Sequence, residues 1–410
     1  MPGPRDAQPS GSLAPETADS VGANGVRETR PAIVVDMHTH FFPAGMRDLA
    51  TETGDSRWPS LTVAADGSAR IMRGQEVFRP VAETCWNLER RAEAMDEAGI
   101  DHHVLSPVPI TLTTWADPVR AAQFARMQNE AFAYAVANVS SAISPSPETA
   151  APAAPAAPAT FAGRFSWIGS VPLQDTDRAI EELEFGVNQL GMLGVEIGSE
   201  VAGRELDDPT LRPFFAAAQD LDVAIFIHPT DGAGAIRRGG IPYEFGLGML
   251  TDTAMAASAL VFGGVLDEFP NLRFGLAHGC GTFAWSFPRL VRGASMNPTN
   301  GSPDSIGSHT KNLLRKLWVD TLVFDPEHIP LLIERFGIEH LMLGSDFPFY
   351  PPAFGSPLAP IQGAVACSHC TPAEASNTLG PNANSFLQIH ARLETHNNRA
   401  DQPKPQVLDA

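Results

Sequence analysis

Eight short apolar runs, separated by stretches of helical periodicity, constrain this chain more than any other feature. The runs are Ile33–His40, His103–Val108, Phe165–Val171, Gly194–Ile197, Val223–His228, Arg273–His278, Leu317–Asp320 and Leu341–Asp346. Each is nearly continuous in apolar side chains, the pattern of a parallel strand covered on both faces. Helical patterns follow them at Leu88–Glu97, Pro118–Ala137, Asp177–Gln189, Pro209–Asp220, Asp252–Phe269, Ala284–Arg292, Pro326–Phe336 and Pro372–Leu387. Eight strand-then-helix units predict an α/β fold of the (β/α)8 TIM-barrel type, with the active site at the C-terminal ends of the strands.

The barrel accounts for residues 31–395 of the 410 in the chain. Residues 41–87 are too many for a plain strand-to-helix connection and predict a small cap over the barrel mouth, with a turn at Ala65-Asp66-Gly67-Ser68. Residues 1–30 and 396–410 read as disordered tails, having too little apolar surface to bury. Residues 140–160 form an Ala/Pro-rich insertion that cannot sustain a helix. Lys+Arg 28 against Asp+Glu 47 gives a net charge of −19, which leaves no broad cationic face for nucleic acid or an anionic membrane. The best uncharged apolar run, Ala254–Leu266, is short of the ~20 residues of a membrane span. No secretory leader is apparent, and four cysteines are too few for a disulfide scaffold, so the expected compartment is the cytoplasm.

Polar residues gather where such a barrel keeps its chemistry. The first strand ends Asp36-Met37-His38-Thr39-His40, the fifth Ile227-His228-Pro229, the sixth Ala277-His278-Gly279 and the eighth Gly344-Ser345-Asp346, although the whole chain has only 12 histidines. Strand alternation puts His38 and His40 on one face. A lone buried histidine is easily satisfied by a hydrogen bond, but two side by side are poor core residues. With His228 and Asp346 they make a three-nitrogen, one-oxygen set suited to zinc with an open position for water. The only lysines are Lys311, Lys316 and Lys404. None lies within a strand, which disfavours a carbamylated-lysine binuclear centre and a pyridoxal Schiff base. One metal ion per subunit is expected.

The motifs His38-Thr39-His40-Phe41-Phe42-Pro43, Phe226-Ile227-His228-Pro229, Ala277-His278-Gly279-Cys280-Gly281-Thr282-Phe283 and Leu343-Gly344-Ser345-Asp346-Phe347-Pro348-Phe349 resemble the amidohydrolase-2 family of metal-dependent decarboxylases. Val77-Phe78-Arg79, Cys85-Trp86, Met95-Asp96-Glu97-Ala98-Gly99, Gly263-Gly264-Val265 and Asn382-Ala383 extend the likeness from about Ile33 to Leu387, toward the aminocarboxymuconate-semialdehyde branch. The resemblance implies metal ligation by His38, His40, His228 and Asp346, zinc with manganese as the alternative, and an acid/base role for His278. It implies substrate-carboxylate binding by Arg79 and, from the other subunit of a homodimer, by Arg289; Trp86, Phe245 and Phe349 would line the site. Paired arginine forks suit a dicarboxylate. The chain departs from the family at Cys280 (glycine there), at Phe245 and Thr230 (tryptophan), at Ala82 (arginine) and at Asn297 (arginine).

Other features read as structural. Cys367-Ser368-His369-Cys370 is a lone C-x-x-C with no second pair, more suggestive of free loop thiols than of a zinc or redox site. Gly232-Ala233-Gly234 and Gly239-Gly240 read as a flexible loop, since no lysine follows to make a phosphate loop. His102 and His103 start the second strand, at the end opposite the site. Asp320, ending the seventh strand, suits a hydrogen-bonding role behind the ligands, and Asp36 is placed to orient one of them. The leading functional expectation is non-oxidative release of carbon dioxide from an unsaturated or aromatic carboxylic acid, such as 2-amino-3-carboxymuconate-6-semialdehyde. Lactone or amide hydrolysis is the alternative on the same constellation, and a binding protein without catalysis is the third.

Overall fold

A computed structural model describes residues 33–142, 163–230, 234, 236–297, 301–350 and 355–392. The expected tails, most of the Ala/Pro-rich insertion and Gly232-Ala233 lie outside them. All eight expected strands form: β1 Val35–Phe41, β2 His102–Pro107, β3 Phe165–Trp167, β4 Gly194–Gly198, β5 Ala224–His228, β6 Phe274–Leu276, β7 Leu317–Asp320 and β8 Leu341–Met342. They pair in parallel as β1-β2-β3 and β4-β5-β6-β7-β8. Bridges between Gly169 and Val195 and between Thr39 and Phe347 join the two sets at both seams. Hydrogen bonds reinforce these seams, from Gly169 N to Gly194 O (3.0 Å), Glu196 N to Gly169 O (2.8 Å), Met37 N to Leu343 O (2.9 Å) and Asp346 N to His38 O (2.8 Å). The strands thus run round a TIM barrel, with helices between them.

Two strands are shorter than their apolar runs for a local reason. Beyond β6 and β8 the backbone turns to present His278 and Asp346, both at φ 58°, a left-handed conformation that side chains with a Cβ rarely adopt. At the other end of the barrel, the helix Pro381–Leu387 plugs the strand starts. Its Phe386 and Leu387 pack with Val35, Met37, Val104, Ile168, Phe226, Trp318 and Met342. A Cβ on Gly275 would lie 2.8 Å from the Phe386 ring and 3.0 Å from Phe226, so only glycine lets that plug enter.

The first strand departs from strict alternation. A register shift between Asp36 and Thr39 puts Met37 into the floor cluster while His38 and His40 face the mouth. Asp36 pins this bulge: its Oδ1 accepts the backbone N–H groups of His38 (3.2 Å) and Ser345 (3.2 Å). Its Oδ2 lies 3.9 Å from His103 Nε2. Asp36 therefore holds main chain on both sides of the mouth, with no described hydrogen bond to a ligand ring, where a role in orienting a ligand was expected.

The cap is larger than the single hairpin expected. A helix, Leu49–Thr53, precedes a three-stranded antiparallel sheet of Pro59–Val63, Ala69–Arg73 and Glu76–Val81. Hydrogen bonds from Ala64 N to Ser68 O and from Gly67 N to Ala64 O make the turn at Ala65–Ser68. Ile71 packs with Phe42 and Cys85 at the two ends of the cap and with Val108 of the barrel. Elsewhere, the helical stretch Ile241–Phe262, 22 residues with mean hydropathy 1.4, is longer than its uncharged portion suggested. It is the one described helix long and apolar enough to cross a membrane, yet Thr253, Ala256, Ala257 and Leu260 are buried in the protein. One apolar side against a barrel accounts for its composition.

Arg91 joins barrel, cap and helix. It sits fully buried in the helix Leu88–Ala98, donating Nε to Thr84 O (2.9 Å), Nη1 to Thr39 Oγ1 (3.1 Å) and Nη2 to His40 O. Its guanidinium lies 5.0 Å from the Phe347 ring, and burial lowers its pKa to about 10. Arg91→Ala opens a cavity and strands three acceptors, so it should destabilise the fold by about 3 kcal/mol or more. Urea unfolding would register this as a lower midpoint; an unchanged midpoint would mean that water replaces the guanidinium without loss.

Candidate metal centre

Four side chains from three strand ends converge at the mouth. The ligand-type atoms of His38, His40, His228 and Asp346 all lie within 4.8 Å of one another, and all four residues are buried. His38 Nε2 and His40 Nε2 are 3.2 Å apart, and His40 Nε2 is 2.9 Å from Asp346 Oδ1. The opposite ring nitrogens are already engaged. His38 Nδ1 meets Asp320 Oδ2 at 2.6 Å, His40 Nδ1 meets Pro107 O at 2.7 Å, and His228 Nδ1 meets Pro229 O at 2.7 Å. A carbonyl can only accept, so His40 and His228 carry their protons on Nδ1, which aims both Nε2 lone pairs at one point. His228 Nε2 has no hydrogen-bond partner. Converging lone pairs and a carboxylate with no proton to share fit a divalent cation and little else. This is a metal-binding site.

Around it the electrostatics are arranged by burial and by one carboxylate. Burial alone would raise Asp320, but its bond to His38 and the nearby His278 and Gly279 hold it below the usual carboxylate range. Burial works against charge on His38, yet Asp320 outweighs it and lifts that imidazole to about 9 in the metal-free chain. His278 lies beside the cluster, its ring centroid 5.4 Å from that of His38 and 5.2 Å from that of His228. Neither of its ring nitrogens has a partner. Burial, then the charge of His38, lowers it to about 4, so it rests as a neutral imidazole. The next residue but one, Cys280, stands at φ 67° where a glycine was expected from the resemblance. Burial pushes its thiol well above the usual range.

Asp320 plays the supporting part expected of it. Glu196 was not singled out from the sequence. Fully buried on β4, it lies 4.0 Å from His40 Nδ1, and burial raises its carboxyl to about 7. A lone carboxylate inside an apolar strand was the available signal. His102 and His103 are buried in β2 away from the ligands, as expected; His103 packs on Phe347 at 5.4 Å.

The expected substrate residues divide. The Phe349 ring lies 5.5 Å from that of His40, and the Arg79 guanidinium sits over Phe349 at 4.6 Å. A ladder of arginine, phenyl and imidazole therefore links the cap to the metal centre. Trp86 and Phe349 both pack against the cluster of Phe42, Ile71, Cys85 and Val108, and the buried Trp86 Nε1 has no hydrogen-bond partner. Phe245 makes no described ring contact with the ligand histidines; its ring lies tilted at 5.4 Å from that of Tyr350 and 6.4 Å from that of Phe324. Burial, then Asp346, pushes the Tyr350 hydroxyl pKa up; Tyr350, which also meets Phe324 at 5.2 Å, was unforeseen from the sequence. Arg289 is exposed on the helix Phe283–Ala294 and meets no described group of the metal centre.

Barrel and cluster together define a metal-dependent enzyme. The chain belongs to the amidohydrolase family, whose profile (Amidohydro_2, Amidohydrolase) matches residues 35–389. It is 31% identical over 366 residues to a 2-amino-3-carboxymuconate-6-semialdehyde decarboxylase of Dictyostelium discoideum, covering 87% of this chain and 92% of that one. Among solved structures it shares its fold with 5-carboxyvanillate decarboxylase from Sphingomonas paucimobilis, at TM-score 0.65 and 21% identity, covering 87% of this chain and 99% of that one. A dihydroxybenzoic acid decarboxylase from a Polaromonas species, holding manganese and the inhibitor 2-nitroresorcinol, aligns at TM-score 0.61 and 19% identity over 87% and 97% of the two chains.

The geometry ranks three substitutions by their effect on metal. His228→Ala should lose the ion held at the barrel mouth. Asp320→Asn, which weakens the support of His38, should lower affinity about 10–100-fold. His278→Ala should leave metal content unchanged. Chelator competition with elemental analysis measures all three, and metal loss in His278→Ala equal to that in His228→Ala would make His278 a ligand.

Proposed function

We propose that the protein is a metal-dependent, non-oxidative decarboxylase acting on an unsaturated or aromatic carboxylic acid, 2-amino-3-carboxymuconate-6-semialdehyde or a close analogue. The observation that carries this reading is a four-ligand metal cluster with an unpartnered neutral imidazole, His278, beside it and an arginine-bearing cap above it. Membership of the amidohydrolase family and the likeness to a semialdehyde decarboxylase along most of both chains support the choice. The three-imidazole set favours zinc, one ion at this centre in each subunit, with manganese the alternative. Free thiols at all four cysteines suit a reducing, cytoplasmic setting.

A divalent metal here supplies Lewis acidity to polarise the substrate. The remaining work falls to the chain. Arg79 anchors a substrate carboxylate by its guanidinium fork, with Phe349 beneath that fork and Trp86 beside it. Phe245 closes the outer wall through Tyr350. His278 manages the proton. When the bond to the carboxylate breaks, its electron pair stays on carbon, carbon dioxide leaves, and that carbon takes one proton in its place. Arg289 completes the anchor from a second subunit. Its exposure and that of Trp285, four residues earlier and 83% exposed, suit a helix face that a partner covers.

Assay on aminocarboxymuconate semialdehyde and on hydroxybenzoates in deuterated water tests the reaction. Carbon dioxide should leave, with one deuterium at the former carboxyl carbon, and His278→Ala should slow this about 10²–10⁴-fold. Water added to product with no carbon dioxide would replace decarboxylation by hydrolysis.

The shared site has its own test. Arg79→Ala and Arg289→Ala should each be nearly inactive with metal retained, and mixing them should restore activity by rebuilding one site with both arginines. Verified subunit exchange without recovery would return Arg289 to the surface.

A further inference from the structure

A second group of metal-ligand side chains lies outside the barrel mouth. The ligand atoms of Glu327, Cys367 and His369 all fall within 4.8 Å of one another. Glu327 comes from the short helix Pro326–His328 that follows β7, and the other two from the end of the helix Ala359–Ala366 that follows β8. Long-range packing makes the meeting: a Cβ on Gly363 would lie 2.6 Å from Pro326, so the helix rides directly on the turn that carries Glu327.

The local backbone is fixed before any ion arrives. Cys367 N, Ser368 N and His369 N donate to Gly363 O (2.9 Å), Val365 O (3.0 Å) and Ala364 O (2.8 Å). His369 Nε2 is a buried atom without a hydrogen-bond partner. Glu327 Oε2 is 3.6 Å from it, too far for a hydrogen bond. A tetrahedral zinc with bonds of about 2.0–2.3 Å needs ligand–ligand edges of about 3.3–3.8 Å. The histidine–carboxylate edge already has that length, and exposed Cys367 and Glu327 are free to close the others.

The two thiols of the motif go separate ways. Cys370 packs against the core, and burial, then Glu374, raises its pKa. Cys367 is exposed, and no disulfide joins them. The pair that reads as C-x-x-C is therefore one inward thiol and one available ligand.

We propose that Cys367, His369 and Glu327 form a second site for a zinc-class divalent cation, completed by water, which clips the loop after β7 to the helix after β8. Thiolate with imidazole selects soft to borderline ions over magnesium or calcium, and binding releases the thiol proton.

Cobalt(II) distinguishes the two sites, because the ligands at the mouth include no sulfur. Titrated anaerobically into the reduced full-length protein, it should produce a thiolate-to-cobalt charge-transfer band in the near ultraviolet. That band should persist in Cys370→Ser, vanish in Cys367→Ser and need at least tenfold more cobalt in His369→Ala. Cys367→Ser should also hold one zinc fewer per chain by equilibrium dialysis while decarboxylation proceeds unchanged. No band in the parent protein, a band that survives Cys367→Ser, or one lost with Cys370→Ser would each overturn the assignment.

Discussion

The carboxylate of Asp320 is the point on which the mouth of the barrel depends. Its two oxygens accept from His38 Nδ1 at 2.6 Å, from the backbone N–H groups of His278 and Gly279 at 2.8 Å each, and from Leu322 N at 3.1 Å. One buried ion thus ties the ends of β1, β6 and β7. Hydrogen bonds to a charged group are worth about 1.5–3 kcal/mol each, enough together to offset the cost of burying it. The fit is close on the remaining side as well. A Cβ at Gly344, just beyond β8, would stand 2.7 Å from Asp320 Cβ and 2.9 Å from His38 Cβ.

Around this anchor the chain accepts local cost for position. His278 and Asp346 both hold left-handed backbone, which costs of order 1–3 kcal/mol per residue and persists only where surroundings over-determine it. Asp320 supplies that constraint for His278 through its amide. Asp346 is held by its own amide bond to His38 O. The result is a ring of buried titratable groups whose protonation is set by burial and by two or three oxygens. Above it, the cap contributes one cation at the end of the ladder from Arg79 through Phe349 to His40.

Much of this was legible in the sequence because two periodicities coincide. Buried parallel strands announce themselves as apolar runs, and polar residues ending such runs have few reasons to be there except chemistry; His38, His40, His228, His278 and Asp346 were all readable this way. The bulge was not, since it depends on Asp36 capturing the amides of residues 2 and 309 positions away. Glu196 is a single carboxylate in a short apolar strand, and its nearness to His40 comes from the neighbouring strand ends and not from any period of its own. Tyr350 and Phe324 enter through loop paths that carry no period at all. Cys367 and His369 were visible as a motif, but their third neighbour, Glu327, is brought in by helix packing. Periodicity reports which face a residue is on; it is silent about which distant residue it meets.

One asymmetry among the ligands bears on how such a site can drift over generations. His40 and His228 are oriented by the carbonyls of Pro107 and Pro229, which are main chain and survive substitution of the residues that bear them. His38 is oriented by a side chain. Two ligands are thus buffered against point changes in their supports, and the third is exposed to the loss of a single codon. Variation at the mouth is correspondingly channelled: lining residues can exchange to suit new substrates, while Asp320 can change only together with the metal chemistry itself.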